Sequence, residues 1–88
     1  MKMLILDGEK ITNMYDVHDI FYKELSFPEF YGRNLDALYD CLTDVSDETV
    51  VRLENYEKLE YELGKYAAIL VKVLTAASEV NSNLRIEQ

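Results

Sequence analysis

Asp36 and Asp40 lie four residues apart in the run Phe-Pro-Glu-Phe-Tyr-Gly-Arg-Asn-Leu-Asp-Ala-Leu-Tyr-Asp-Cys-Leu-Thr, residues 27–43. Carboxylates at that spacing on a helix can ligate a hard cation, work as an acid/base pair on a glycoside, or receive a cationic partner. Two carboxylates without further clustered oxygens make a weak cation site. A chain of 88 residues leaves little room for a sugar cleft. The third use fits best, because the pair has a cost within the chain: like charges at i, i+4 oppose each other by roughly 0.2–0.5 kcal/mol. The helix dipole favours Asp36 in the first turn but does not help Asp40. Phe30 and Tyr39 flank the pair, and interfaces favour aromatic anchors beside desolvated charge.

Other reactive residues carry less. His18 falls on or near the apolar stripe of a predicted helix and reads as structural, with no partner for nucleophilic catalysis evident in the sequence. Cys41 adjoins Leu38 and Leu42 and reads as a buried, inert thiol. Gly8, Gly32 and Gly64 are the only glycines, too few and too scattered for a phosphate-binding loop. No catalytic residue, metal site or cofactor is expected.

The elements that must position these residues follow from periodicity and punctuation. Met3 to Leu6 is a short apolar run that suits a strand covered on both faces. Asn13 caps a helix whose Met14, Val17, Phe21 and Leu25 form one stripe, ending before Pro28. A loop through Gly32 leads to a second helix, capped by Asn34, with Leu35, Leu38 and Leu42 facing inward and Asp36, Tyr39, Asp40 and Thr43 on another face. Residues 44–49 are turn-like, and Val50, Val51 and Leu53 predict a second strand. A short helix over Tyr56–Leu63 stops at Gly64. Tyr66, Leu70, Val73, Ala77 and Val80 predict the buried stripe of a long last helix, and Leu84-Arg85-Ile86 a third strand after the turn Asn81-Ser82-Asn83. Strands separated by helices imply a small parallel sheet in a single α/β domain covering residues 1–88.

Composition narrows the partner. The net charge is −8 at pH 7, and nine of the seventeen acids fall between Asp36 and Glu62, against only Arg52 and Lys58. Such a field repels nucleic acid and anionic membrane and attracts basic proteins. A lone cysteine, the absence of a signal-peptide pattern after Met1, and no apolar run near the roughly 20 residues of a membrane span together lead us to expect a cytoplasmic protein.

The run over residues 27–43 closely resembles the barstar family of intracellular ribonuclease inhibitors. Asp7-Gly8-Glu9-Lys10-Ile11, Asp16-Val17-His18 and Lys23-Glu24-Leu25 follow the family in the same order without gaps, so about the first half of the chain matches in sequence and the second half in its pattern of elements. The resemblance implies a barstar-like fold, a small three-stranded parallel sheet packed with about four helices. It implies a monomer that binds, one to one, a basic, extracellular-type, barnase-like and guanyl-preferring ribonuclease, with Asp40 in the place of an RNA phosphate. Asp36 corresponds to a second acidic contact, and Phe30, Asn34, Leu35, Tyr39, Thr43 and Asp44 fall at family contact positions. The chain departs from the family where Phe30 replaces a tyrosine and Tyr39 a tryptophan, where Asp44-Val45 stands for glycine and tryptophan, and where Ala76 replaces an acid that Glu79 follows at one turn's distance. The alternative use of the same face is a non-inhibitory binding module for another basic protein.

Overall fold

The computed structural model describes residues 1–88. The chain runs through strand β1 (Lys2–Asp7), a single 3-10 turn (Gly8–Lys10), helices α1 (Met14–Glu24) and α2 (Leu35–Thr43), strand β2 (Thr49–Glu54), helices α3 (Tyr56–Leu63) and α4 (Lys65–Val80), and strand β3 (Leu84–Glu87). The three strands are parallel in the order β1-β2-β3, with Met3 opposite Val50, Leu6 opposite Leu53 and Val51 opposite Ile86. Four helices on a three-stranded parallel sheet are the architecture expected from the resemblance.

Sequential strand order has a consequence for burial. Parallel crossovers are almost always right-handed, and two of them stepping the same way place all the helices on one face of the sheet. Leu4, Leu6, Val51, Leu53 and Leu84 accordingly enter a core of 19 buried apolar residues. Met3 and Ile5, on the opposite pleat, are exposed, and Val50, buried beside them, stays outside that core. The expectation of a first strand covered on both faces is therefore corrected. Arg52 pairs with Glu87 at 3.2 Å across β2 and β3, and its alternation with Val51 and Leu53 puts it on the open face.

The last helix also differs from its predicted phase. Its buried residues are Ala67, Leu70, Leu74 and Ala77, whereas Tyr66 and Val80 are exposed and Val73 is half-buried. Residues 67–74 are apolar at every position but Lys72, so several stripes at helical spacing compete and packing against α2 chooses among them.

Two glycines do work that no other residue could. Gly64 closes α3 at φ +58°, ψ −133°, donating its N–H to the Glu60 carbonyl at 2.8 Å, and lets α4 begin at the next residue. A Cβ on Gly8 would come within 2.2 Å of the Asn55 carbonyl oxygen and 2.6 Å of the Leu59 nitrogen. That close approach seats the 3-10 turn against the start of α3, where Asn55 also donates its side-chain amide to Asp7 at 2.7 Å.

Candidate functional site: an acidic helix and the loop that leads into it

The loop before α2 is anchored by aromatic packing and exposes one ring. Phe27 lies parallel to Phe21 of α1, with centroids 6.3 Å apart, and meets Tyr31 edge-on at 5.0 Å. The Tyr31 hydroxyl shares a 2.5 Å hydrogen bond with His18 Nδ1. Between these anchors Tyr31 N–H donates to the Pro28 carbonyl at 2.9 Å, closing a turn with Phe30 within it at 88% exposure. Ser26 and Arg33 bracket the segment at φ +54° and +52°. A non-glycine residue held in the left-handed region costs roughly 1–3 kcal/mol, and such strain collects where a binding loop must be shaped.

Arg33 is tied back to α1. Its guanidinium lies 5.0 Å from the Tyr22 ring centre and 5.3 Å from that of Tyr15, and 3.6 Å from the Asp19 carboxylate. The cation next to the site helix is thus held to α1, by Asp19 and two tyrosine rings.

His18 is buried, and burial together with the nearby Arg33 charge holds its pKa below the ordinary value. The unfolded chain takes up a proton near pH 6.5 while the folded chain resists it. Lowering the pH through that range therefore favours unfolding: the contribution is complete above about 6.5 and declines below it. Asp7 and Asp16 have lowered pKa values, Asp7 chiefly through the Asn55 amide and Asp16 chiefly through the Thr12 backbone N–H. Their contribution is complete above the ordinary carboxylate value and is lost as pH falls through their own lower values. Urea denaturation between pH 5 and 8 should show stability falling toward acid, and His18→Gln should flatten the profile in that interval. A parent profile that is flat there would contradict the burial of a neutral imidazole.

In α2 the Asn34 side-chain oxygen accepts the Ala37 N–H at 2.8 Å, as the capping pattern requires. Leu38 and Leu42 are buried and Leu35 is half-buried, while Asp36 and Asp40 are exposed and Tyr39 and Thr43 half-buried. The Thr43 hydroxyl donates to the Asp40 carbonyl at 2.8 Å, and exposed Asp44 caps the helix. The eight residues singled out in the sequence thus fall on α2, its two caps and the loop before it.

None of the chain's six ion pairs uses Asp36, Asp40 or Asp44. The last turn of α2 contains no basic residue either, so Asp40 and Asp44 add to the negative end of the helix dipole. The Cys41 thiol between them is pushed up in pKa by burial first and then by Asp44 and Asp40, which keeps it protonated and a poor nucleophile. No group of three or more His, Cys, Asp or Glu residues forms a metal-binding cluster. The arrangement presents uncompensated carboxylates on a fixed helix.

Sequence reasoning missed Arg33 and Asn81. Asn81, at the end of α4, is buried and reaches three carbonyls at the far end of α2. Those contacts span 36–39 residues, and no local pattern signals them.

The family described as Barstar (barnase inhibitor) matches residues 1–87. A Bacillus subtilis (strain 168) protein named "Putative ribonuclease inhibitor YrdF" is 41% identical over 80 residues, covering 90% of this chain and 88% of the relative.

Proposed function

Since this chain belongs to the barstar family of barnase inhibitors, we propose that it neutralises a basic, barnase-like, guanyl-preferring ribonuclease in the cytoplasm by inserting α2 and its loop into the enzyme's cationic cleft. Members of the family are inhibitors rather than enzymes. In this mechanism Asp40 stands where an RNA phosphate would lie and receives the enzyme's arginines and catalytic histidine. Asp36 makes a second acidic contact. Phe30 and Tyr39 supply apolar area beside the charges, and Asn34, Leu35, Thr43 and Asp44 complete the contact surface. The complex is one to one, and the free inhibitor is a monomer.

The observation that carries this reading is that one short helix and its cap present three exposed carboxylates, Asp36, Asp40 and Asp44, with no basic residue in the last turn and no ion-pair partner in their own chain. Their mutual repulsion is relieved when cations arrive. Titrating the protein into an RNA-cleavage assay with several barnase-like enzymes should abolish activity at equimolar ratio. No inhibition of any of them at micromolar protein would count heavily against the proposal. Capture of a basic protein without ribonuclease activity would instead favour the binding-module reading, which the changed contacts at Phe30, Tyr39, Asp44, Val45 and Ala76 keep in view.

Salt should separate steering from contact. Screening shortens the reach of exposed charges to about 8 Å at physiological ionic strength, so association should slow steeply with added salt while dissociation changes less. The acids between Asp44 and Glu62, among them Asp47, Glu57 and Glu60, should act mainly on that rate. Stopped-flow association that is flat between low and high salt would remove the steering argument and leave the Asp40 contact intact.

A further inference from the structure

We infer that Asn81, the residue that caps the end of α4, is a positioning residue for the partner-binding face, holding the carboxy-terminal end of α2 and the Asp44–Val45 turn in the shape presented to the partner. The inference rests on the proposed inhibitor reading for its functional meaning and on hydrogen-bond geometry for its structural content.

The side-chain amide of Asn81 donates to the Leu42 and Val45 carbonyls at 2.9 Å each and lies 3.3 Å from the Thr43 carbonyl. An amide carries two hydrogens, so two strong bonds and one shared contact use its whole donor capacity. Its oxygen accepts the Asn83 N–H at 3.0 Å, its own N–H donates to Ala77 at the end of α4, and its carbonyl accepts the Leu84 N–H at 3.0 Å. Asn81 therefore joins the end of α4, the turn into β3 and the end of α2. Side-chain flipping would bring the amide oxygen against carbonyl oxygens, which fixes the orientation.

The clamp also meets an electrostatic requirement. The last carbonyls of a helix need donors, and among side chains a lysine or arginine near the terminus can supply them. Here a cation would sit beside Asp40 and Asp44 and compensate the charge that the partner is to meet. A neutral amide from another helix satisfies the carbonyls and leaves that field intact. The last turn of α2 indeed contains no basic residue.

A clamp and a merely stabilising contact differ in where a defect appears. Amide exchange of the free protein, followed residue by residue, tests the structural content with Asn81→Ala and Asn81→Asp. Exchange at the Asp44 and Val45 N–H groups, which bond the Cys41 and Leu42 carbonyls, should accelerate about tenfold beyond any change shared with Phe21, Leu38 and Val51, the scale of one lost buried hydrogen bond. A uniform change across all these amides would overturn the inference whatever the partner proves to be.

Binding of barnase, measured by calorimetry on the folded fraction, tests the functional content. Asn81→Ala should weaken it about tenfold in the parent and in an Asp36→Ala background, and clearly less in an Asp44→Ala background, because coupling is expected only for the residue the clamp positions. Equal losses in all three backgrounds, or no loss in the parent, would overturn the positioning role. If the parent protein neither binds nor inhibits any barnase-like ribonuclease, the inhibitor reading fails, and the exchange experiment alone decides whether the clamp exists.

Discussion

Asp40→Ala should cost at least about 2 kcal/mol of affinity for the ribonuclease, the general criterion for a hot spot and one drawn in part from barnase–barstar itself. Removing this carboxylate loses a charge-assisted contact and also leaves the enzyme's cations buried without a counter-charge, and the second effect makes truncation of a desolvated pair expensive. Asp36→Ala should cost less, since Asp36 matches a second acidic contact and not the phosphate position. Neither change should impair folding, because both side chains are exposed and neither has an ion-pair partner. Asp40→Ala should even stabilise the free protein by roughly 0.2–0.5 kcal/mol as the repulsion from Asp36 and Asp44 is relieved. Calorimetric titration and urea denaturation on the same preparations separate the two quantities. Unchanged affinity would eliminate the phosphate-mimic role, and a large loss of stability would mean that Asp40 has a structural partner in solution.

A residue whose removal stabilises the fold while weakening binding marks a place where function opposes stability. The end of α2 concentrates this opposition, with Asp40 and Asp44 at the negative pole of the helix and Cys41 held protonated between them. The neutral clamp from Asn81 and the confinement of Arg33 by Asp19, Tyr15 and Tyr22 have a common sense in this light. Both stabilise the surroundings of the face without bringing a free cation to it.

Much of this arrangement was legible because its signals are local. Asn13 and Asn34 announce helix starts through side-chain oxygens that need only the next few residues, and the structure shows both accepting the expected N–H groups. Pro28 closes off α1 for an equally local reason. The acidic pair is read from spacing alone, since four residues make one helical turn. What could not be read depends on choices made at long range. Met3 and Ile5 are as apolar as Leu4 and Leu6, and only the order of the strands decides which pair is covered. Tyr66, Val73 and Val80 fit a helical stripe as well as Ala67 and Leu74 do, so the facing helix sets the phase of α4. Asn81 reads as a turn residue until α2 is folded against it.

Phe21→Ala should give the largest loss of stability, about 3–5 kcal/mol. The ring is fully buried, so truncation removes its transfer free energy and leaves a cavity lined by residues that are themselves fixed. For a domain of this length, total stability is on the order of 4–13 kcal/mol, and the variant would lie near the margin of folding. The effect should also reach the binding loop, because Phe27 lies against Phe21, Tyr31 against Phe27, and His18 against the Tyr31 hydroxyl. Loss of the first ring frees the second, and the turn carrying Phe30 loses its support. The urea midpoint should therefore fall sharply, and the affinity of the molecules still folded, measured at low temperature, should fall as well. Phe21→Leu, which retains most of the apolar volume, should recover much of the stability but less of the loop order, since the ring contact with Phe27 is not restored. If Phe21→Ala lowers the midpoint and leaves the affinity of the folded fraction untouched, the loop is held by Tyr31 and Arg33 alone, and the aromatic chain from α1 serves the core rather than the site.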